Sequence, residues 1–259
     1  MIEGKLGLVP YTNAKPLQFG LREGLPEGRT IEAPPAELAE MLREGRLAAA
    51  LVSSFACFEQ ESLRVVPEIC VSSDGAVQSV KVFFPDSISD ANRIGLHTAS
   101  LSSSALAQII FRERLGIAPE FVPWSPDDLD ADVDGYLLIG DEAMTHPDMP
   151  IMMDLGEEWQ ALTGLPFVYA VWAVSAKGDV QGLCERLRDV KRNGIENIEA
   201  IAKSESERLH LDPDLCLNYL TEAIHYDLGE RETEGLMTFL GKCREHGLVR
   251  EGAEVEFLS

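Results

Sequence analysis

Short apolar runs without polar alternation constrain the fold of this chain more than any other feature. They recur through the first 175 residues, at 6–9, 47–52, 77–84, 94–96, 136–139 and 167–174. A strand with one face in water alternates apolar and polar side chains, so these runs indicate strands that are covered on both faces. Helical segments lie between the runs, and the sequence therefore predicts an α/β fold.

Punctuation residues mark where the intervening helices begin and end. The pair Pro34-Pro35 opens a helix that Gly45 closes, and the serine-rich segment 100–104 opens another that Gly116 closes. After Lys177 the apolar residues recur only at helical spacing, which predicts three or four C-terminal helices.

Two loop-rich junctions, at 84–87 and 163–166, are candidate crossings between lobes. A chain of 259 residues is long enough for about 1.7 average domains, which suits two small lobes or one large α/β unit. We therefore expect one lobe from residues 1–86 plus 167–259 and a second from 87–166. A ligand would lie in the cleft between them, outside the carboxyl ends of the strands and at helix N-termini.

Charge and composition exclude several classes of function. The 44 acidic and 22 basic residues give a net charge of −22, which would repel nucleic acid and anionic membranes. No apolar run is long enough to cross a bilayer, and no secretion signal is recognised, so we expect a cytoplasmic protein. The five cysteines form no C-x-x-C pair and are expected to be reduced thiols. The histidines lack ligand spacing and no nucleotide-binding motif occurs, so neither metal nor cofactor is expected.

Residues 10–17 directly follow the first predicted strand and contain Asn13. Asparagine is typical of a helix N-cap, and Pro16 suits the first turn of that helix. At the mouth of a strand, the amide of Asn13 can also point into the cleft, where it can donate to a substrate oxygen and accept from a hydroxyl. The two roles are compatible.

Two serine-rich segments are candidate binding sites. A helix needs one N-cap, so the surplus hydroxyls of Ser100, Ser102 and Ser103, with free backbone N–H groups, favour an anion cradle for a carboxylate. The alternative is a serine-rich loop with a single cap. The second segment, 72–80, predicts a turn at Gly75 and then a strand that carries Ser79, although a lone strand serine is more often structural.

Three further positions have both a structural and a functional interpretation. Asp141 follows a strand and is expected to cap the next helix. Phe167 follows a tight turn and either lines the pocket or fills the core. His97 ends a strand beside the serine cluster, where a general base can stand.

Six segments in this order resemble the chorismate dehydratase family of the futalosine route to menaquinone. They are Tyr-x-Asn-Ala-x-Pro-Leu at 11–17, Leu-x-x-Gly…Ala-Leu-Val-Ser-Ser at 42–54, Ile-Cys-Val-Ser-Ser-Asp-Gly-x-Val-x-Ser-Val at 69–80, Ser-x-Ser-Ser at 100–103, Leu-Ile-Gly-Asp-Glu-Ala at 138–143 and Asp-Leu-Gly…Trp…Thr-Gly-Leu-Pro-Phe-Val-x-Ala-x-Trp at 154–172. The resemblance covers residues 5–175 and adds little over the C-terminal helices.

The resemblance implies a two-lobed fold like that of type II periplasmic binding proteins, with a central ligand cleft and C-terminal helices. It implies a carbon–oxygen hydro-lyase that removes water from chorismate, a small dicarboxylate, to give 3-[(1-carboxyvinyl)oxy]benzoate. By this resemblance Asn13 and Ser79 are the catalytic candidates, and the substrate-binding candidates are Ser54, Gly75, His97, Ser100, Ser102, Ser103, Asp141 and Phe167. The base is left open, because a substrate carboxylate can take the proton. The oligomeric state also stays open, with a homodimer as one option.

The sequence departs from the family pattern at three positions. Thr12 stands where the family usually has Leu, Ala48 where an acid is common, and His97 where a strand usually ends in Thr or Asp. His97 keeps open a sister enzyme of the same pathway, which forms 1,4-dihydroxy-6-naphthoate from cyclic dehypoxanthine futalosine and would favour a histidine base. A non-catalytic cytosolic solute-binding or sensing module on the same fold is a second alternative.

Overall fold

The structure is a computed structural model that describes residues 4–23, 25–127, 132–147, 149–175 and 182–258. Within these ranges the chain forms eleven strands: β1 (Leu6–Leu8), β2 (Thr30–Glu32), β3 (Ala49–Ser53), β4 (Leu63–Ser73), β5 (Val80–Phe84), β6 (Arg93–His97), β7 (Glu120–Trp124), β8 (Gly135–Ile139), β9 (Ile151–Asp154), β10 (Phe167–Ser175) and β11 (Glu256–Phe257). The helices in the same ranges are α1 (Pro35–Arg43), α2 (Ala56–Glu59), α3 (Leu101–Glu113), α4 (Gly140–Thr145), α5 (Leu155–Thr163), α6 (Leu183–Glu196), α7 (Ile198–Leu209), α8 (Pro213–Asn218) and α9 (Glu230–Glu245), together with a 3-10 helix at Thr12–Leu17 and a π-helical turn at Tyr219–Ala223.

The described strands form two sheets, which confirms the α/β prediction. The first sheet has the order β11-β4-β10-β3-β1-β2, and the second has the order β7-β6-β8-β5-β9. In the first sheet β1 is parallel to β2 and β3, and β10 runs antiparallel between β3 and β4. In the second, β6 is parallel to β7 and β8, whereas β5 is antiparallel to β8 and β9.

The chain crosses between the sheets earlier than expected. The expected boundary after residue 86 leaves 80–84 with the first lobe, but β5 pairs with β8 and β9 of the second sheet. The first crossing therefore lies between Ser73 and Val80, and the return lies between α5 and β10. This correction matters for the site, because it places Ser79 within a crossing segment.

The C-terminal part is helical, as predicted. Four helices, α6 to α9, lie in the described residues 182–258, together with the π-helical turn and the short strand β11. The change of pattern expected at Lys177 lies outside the described residues. No helix in the described part of the chain is both long enough and apolar enough to cross a membrane.

Burial follows the apolar runs that predicted the strands. All five residues of β3 are buried, and so are most residues of β10, which lies beside it. Helices pack on these strands, and the largest core cluster runs continuously from the first sheet through α3 and α5 to α9. The core therefore holds the carboxyl ends of β1, β3, β6 and β8 in fixed positions, and it is at these ends that the candidate site lies.

Candidate active site

A cavity of about 50 Å³ lies between the two sheets, at the carboxyl ends of β1, β3 and β8. The first sheet and its connections contribute Val9, Tyr11, Asn13, Ala14, Pro35, Leu51, Ser53, Val71, Tyr169 and Ala170, and the second contributes Val80, Ser100, Ser102, Ser103, Ile139 and Gly140. None of these described lining residues is Lys, Arg, His, Asp or Glu. A cavity of this size holds a few water molecules, and we expect its walls to move apart when a ring-sized ligand binds.

Asn13 reaches the cavity from the 3-10 helix that directly follows β1. Its expected role as N-cap is wrong, because the helix begins at Thr12, Tyr11 holds the N-cap position and no side chain caps the helix. The Asn13 amide is therefore not used to start its own helix. The neighbouring Tyr11 ring packs closely against the start of α4, since a Cβ on Gly140 would lie 2.7 Å from it.

Ser79 lies directly behind the cavity wall. Its side chain is fully buried, and the next residue, Val80, lines the cavity. The Ser79 carbonyl accepts a hydrogen bond of 2.7 Å from the backbone N–H of Gly140. The Tyr219 hydroxyl donates to Ser79 Oγ, also at 2.7 Å. The serine is therefore held both through its backbone and through its side chain.

The turn before Ser79 is fixed by Asp154. The Asp154 carboxylate caps α5 and also accepts from the backbone N–H groups of Val77 (3.0 Å) and Gln78 (2.7 Å). Gln78 has φ +64°, a left-handed conformation that costs a non-glycine residue about 1 kcal/mol or more. The strand expected over 77–84 therefore begins only at Val80, because this turn occupies the three residues before it.

The serine cluster begins α3, as predicted. Ser100 is the N-cap, and its Oγ accepts from the Ser103 N–H at 3.3 Å and donates to Ser103 Oγ at 2.8 Å. The Ser102 hydroxyl donates to the Tyr169 carbonyl at 2.9 Å, and its N–H donates to Ser53 Oγ at 3.0 Å. Part of the cluster's hydrogen-bonding capacity is thus used internally. Within the described chain, the hydroxyl protons of Ser53 and Ser103 have no protein acceptor and remain available to a ligand.

His97 is buried and does not line the cavity. Its Nδ1 accepts from the Ala99 N–H at 3.1 Å, and its Nε2 lies 2.9 Å from the Glu142 carboxylate. An Nδ1 that accepts a hydrogen bond carries no proton, so Nε2 carries it and donates to Glu142. Both ring nitrogens are therefore engaged with the protein.

Asp141 joins the two sheets instead of capping α4, so the expected cap is a second correction. Its carboxylate accepts from the Thr12 N–H at 2.9 Å and from the Arg208 guanidinium at 2.5 Å. Arg208 also donates to the Thr12 hydroxyl (3.1 Å), which in turn donates to Glu205 (3.0 Å). The Leu that is usual in the resembled family has no hydroxyl to bond with Glu205 and Arg208, so Thr12 matches the polar partners that α7 supplies here.

Three further candidates lie away from the cavity. The Ser54 hydroxyl donates to the Val168 carbonyl at 2.7 Å, and Gly75 forms the crossing turn with φ +118°. Phe167 fills the aromatic core, where its ring centroid lies 4.7 Å from that of Phe239. Of the ten candidates, the structure brings Asn13, Ser100, Ser102 and Ser103 to the cavity and Ser79 next to it.

Sequence reasoning missed Ser53, Tyr219 and Arg208. Ser53 had a signal, because successive side chains of a strand point to opposite faces and Ser53 and Ser54 therefore cannot both face the cavity. Tyr219 and Arg208 had none, since each lies in an ordinary helical pattern far along the chain from its partners.

Comparison of sequences connects the chain to known proteins. Residues 4–245 match the family described as menaquinone biosynthesis. The chain is 33% identical to the chorismate dehydratase of Thermus thermophilus over 90% of this chain and 93% of that protein. It is 24% identical to the chorismate dehydratase of Campylobacter jejuni, over 94% of this chain and 99% of that one.

Comparison of structures confirms the expected periplasmic-binding-protein-like fold. Protein AF1704 from Archaeoglobus fulgidus superposes with a TM-score of 0.73 at 18% identity, covering 95% of this chain and 98% of that one. The periplasmic aliphatic sulphonate binding protein SsuA of Escherichia coli gives a TM-score of 0.64 at 13% identity, over 97% and 95% of the two chains. At these identities the likeness concerns the fold alone.

Proposed function

The chain belongs to the menaquinone-biosynthesis family, and we propose that it is a chorismate dehydratase, which converts chorismate into 3-[(1-carboxyvinyl)oxy]benzoate and water. The reaction is a carbon–oxygen hydro-lyase step, and it would open the futalosine route to menaquinone. The small-molecule substrate that the family relationship implies is then the dicarboxylate chorismate.

One observation carries the proposal: the cavity offers an amide and several hydroxyls but no described lysine, arginine, histidine or carboxylate. Among the described lining residues the titratable groups are Tyr11 and Tyr169, and burial raises the pKa of Tyr11 to about 12. The site is therefore suited to a reaction in which the substrate supplies the acidity. It is unsuited to one that needs a protein side chain as a strong acid or base near neutral pH.

Dehydration of chorismate is such a reaction. The hydrogen on ring carbon 3 is conjugated through the diene to the ring carboxylate, and its loss as a proton, with loss of the carbon-4 hydroxyl, makes the ring aromatic. The departing proton and hydroxide together form water. What the protein must add is orientation of the ring and stabilisation of the charge that spreads to the ring carboxylate.

Asn13 and Ser79 are the proposed catalytic residues. The Asn13 amide at the cavity wall can donate to a substrate oxygen while its own oxygen accepts from a hydroxyl. Ser79 lies behind the same wall and becomes reachable when the walls separate to admit the ring. A neutral donor beside the carbon-4 oxygen assists the departure of hydroxide. The proton can pass to a carboxylate of the substrate itself.

The serine cluster is the proposed carboxylate site. The hydroxyls of Ser53 and Ser103 keep a proton to donate, and both lie near the N-terminus of α3, where the helix dipole favours an anion. Such local donors are needed because the protein carries a net charge of −22. Salt screens exposed charges beyond about 8 Å, so short-range donors decide whether a dianion is held.

The sister reaction on cyclic dehypoxanthine futalosine is less well supported. That reaction would favour a histidine base, and His97 is the candidate for it. However, Nδ1 of His97 accepts a hydrogen bond from the Ala99 N–H, and Nε2 faces Glu142. Neither nitrogen is free to accept a proton from a ligand in the cavity. This arrangement favours the dehydratase over the sister enzyme.

Incubation of the purified protein with chorismate tests the proposal. We expect the enolpyruvyl benzoate to accumulate with multiple turnovers, detected by liquid chromatography and mass spectrometry. The Asn13→Ala variant at the same concentration controls for spontaneous breakdown of chorismate. Binding of chorismate without product would instead identify a sensing module, and turnover of cyclic dehypoxanthine futalosine would identify the sister enzyme.

A further inference from the structure

The sequence around Tyr219 gives no indication that its side chain lies next to the site. It begins the π-helical turn Tyr219–Ala223, between α8 and the segment that leads to α9, and its side chain is fully buried. A π turn inserts an extra residue into a helix, is rare, and is frequently found at functional sites. This turn delivers the phenol to Ser79, 140 residues earlier in the sequence.

The position of Tyr219 relative to Ser79 is fixed by the backbone. Directly after the π turn, His225 pairs with Ser72 at the end of β4 through two backbone hydrogen bonds, of 2.8 and 3.0 Å. Ser72 lies just before the crossing segment that carries Ser79. The two segments that hold the phenol and the serine are therefore tied together next to the side-chain bond that joins them.

The direction of that bond determines what Ser79 can do. The Tyr219 hydroxyl donates to Ser79 Oγ at 2.7 Å, and burial raises the pKa of Tyr219, so the phenol keeps its proton. A side-chain interaction with Asn13 lowers the same pKa, so the Asn13 amide lies near the phenol. Tyr219 thus donates to Ser79 and has the Asn13 amide as a neighbour. In the described residues Ser79 Oγ has no protein acceptor for its own proton.

We propose that Tyr219 is a positioning residue, which orients the Asn13 amide and the Ser79 hydroxyl so that each can form its hydrogen bond with the substrate. The inference rests on the proposed dehydratase function and deepens it. Asn13 follows β1 of the first sheet, and Ser79 precedes β5 of the second sheet. Tyr219, from the C-terminal region, connects them.

The test compares Tyr219→Phe with Tyr226→Phe. Tyr226 is also a buried tyrosine, but its hydroxyl has no hydrogen-bond partner in the described structure, so its loss should leave the site unchanged. For Tyr219→Phe we expect kcat on chorismate to fall about tenfold to a hundredfold, because small misplacements of catalytic groups have effects of that size. KM should change less than kcat, and Tyr226→Phe should match wild type in both.

Two further measurements separate positioning from a general structural role. If Tyr219 acts through Ser79, Tyr219→Phe should have a clearly smaller effect on kcat in a Ser79→Ala background, because both substitutions remove the same Tyr219–Ser79 hydrogen bond. The loss should also be equal from pH 6 to pH 9, since a phenol with a raised pKa stays protonated throughout. Wild-type kcat in Tyr219→Phe, or an equal loss in both backgrounds, would overturn the proposal.

Failure of the proposed function can be recognised separately. If wild-type protein does not turn over chorismate, the function is wrong, and crystal structures of wild type and Tyr219→Phe decide the role of Tyr219. We then expect the Asn13 amide and the Ser79 hydroxyl to change orientation in the variant. Unchanged side chains at both positions would overturn the positioning role whatever the reaction is.

Discussion

The two polar walls of the cavity are built in different ways. The serine wall consists of Ser53, Ser100, Ser102 and Ser103, and the amide wall consists of Asn13 with Ser79 and Tyr219 behind it. In the serine wall the groups bond to one another and to neighbouring backbone within one helix start and the adjacent strands. In the amide wall side chains from three distant parts of the chain meet.

We expect this difference to separate binding from chemistry. A wall whose groups are fixed by a helix cap and a sheet is rigid, and of its described hydroxyl protons only those of Ser53 and Ser103 are not used internally. A wall made of side chains from distant parts of the chain can hold an amide in one orientation while leaving part of the amide's hydrogen-bonding capacity for the substrate. We therefore expect substitutions in the serine wall to change affinity or stability, and substitutions in the amide wall to change turnover.

The largest effect is expected for Asn13→Ala. The substitution removes both the donor and the acceptor of the amide wall, and loss of one positioned donor typically costs about a hundredfold in kcat. Folding should be little affected, because the side chain is half-buried and caps no helix. Turnover of chorismate and thermal unfolding are the measurements. Gln18→Ala is the matched control, since this side chain lies just after the same 3-10 helix but, among the described residues, its amide nitrogen donates only to the Val9 and Ala14 carbonyls. Equal kcat in Asn13→Ala and Gln18→Ala would remove the distinction between the walls.

The next effect is expected on affinity, for Ser53→Ala and Ser103→Ala. Each removes a hydroxyl proton that the protein leaves unused, and a hydrogen bond to a charged group contributes about 1.5–3 kcal/mol. The Kd for chorismate, measured by calorimetry, should therefore rise about tenfold or more in each variant, with a smaller change in kcat. Ser54→Ala is the control, because its hydroxyl bonds to the Val168 carbonyl. Unchanged affinity in both test variants would move the carboxylate site elsewhere.

Ser102→Ala should separate stability from binding within the serine wall. The Ser102 hydroxyl donates to the buried Tyr169 carbonyl, which also accepts from the Ser54 N–H, so the substitution removes one of two hydrogen bonds to that oxygen, at a cost of about 0.5–1.5 kcal/mol. The free energy of unfolding, from urea titration, should fall by that amount while the Kd for chorismate changes little. A large loss of affinity with unchanged stability would show that this hydroxyl serves the ligand instead. The double variant with Ser103→Ala should combine both losses but still bind weakly through backbone N–H groups.

Except for Ser53, the serine wall was predictable because its rules are local. A cap residue, a helix start and a closing glycine lie within about four helical turns of one another, so the sequence alone predicts that the segment 100–104 begins a helix at the cleft. The apolar runs likewise predicted β3, β8 and β10 within a few residues. Strand β4 was missed, because Arg64, Pro67 and Glu68 interrupt its apolar pattern, and Glu68 adopts φ +68° inside it.

The amide wall was only partly predictable because its geometry depends on tertiary contacts. Family resemblance drew attention to Asn13 and Ser79, but nothing local indicates that a tyrosine near residue 220 joins them. The same holds for Asp141, whose position after β8 suggested a cap and whose actual partners, Thr12 and Arg208, lie far away in sequence. Long-range polar partners leave no periodic signal, so only the folded structure reveals them.

His97→Asn should have the smallest effect on turnover, because His97 belongs to neither wall. An asparagine oxygen can replace Nδ1 as acceptor for the Ala99 N–H, so the substitution loses mainly the contact with Glu142, outside the cavity. General-base catalysis contributes about a hundredfold to ten-thousandfold, so removal of an essential base would be unmistakable. We expect kcat on chorismate to stay within about tenfold of wild type, and His97→Gln, which can keep a donor towards Glu142, to stay in the same range. A thousandfold loss with intact chorismate binding would mean that the imidazole leaves its present partners during the reaction. The protein should then be assayed with cyclic dehypoxanthine futalosine, because the sister reaction would favour a histidine base.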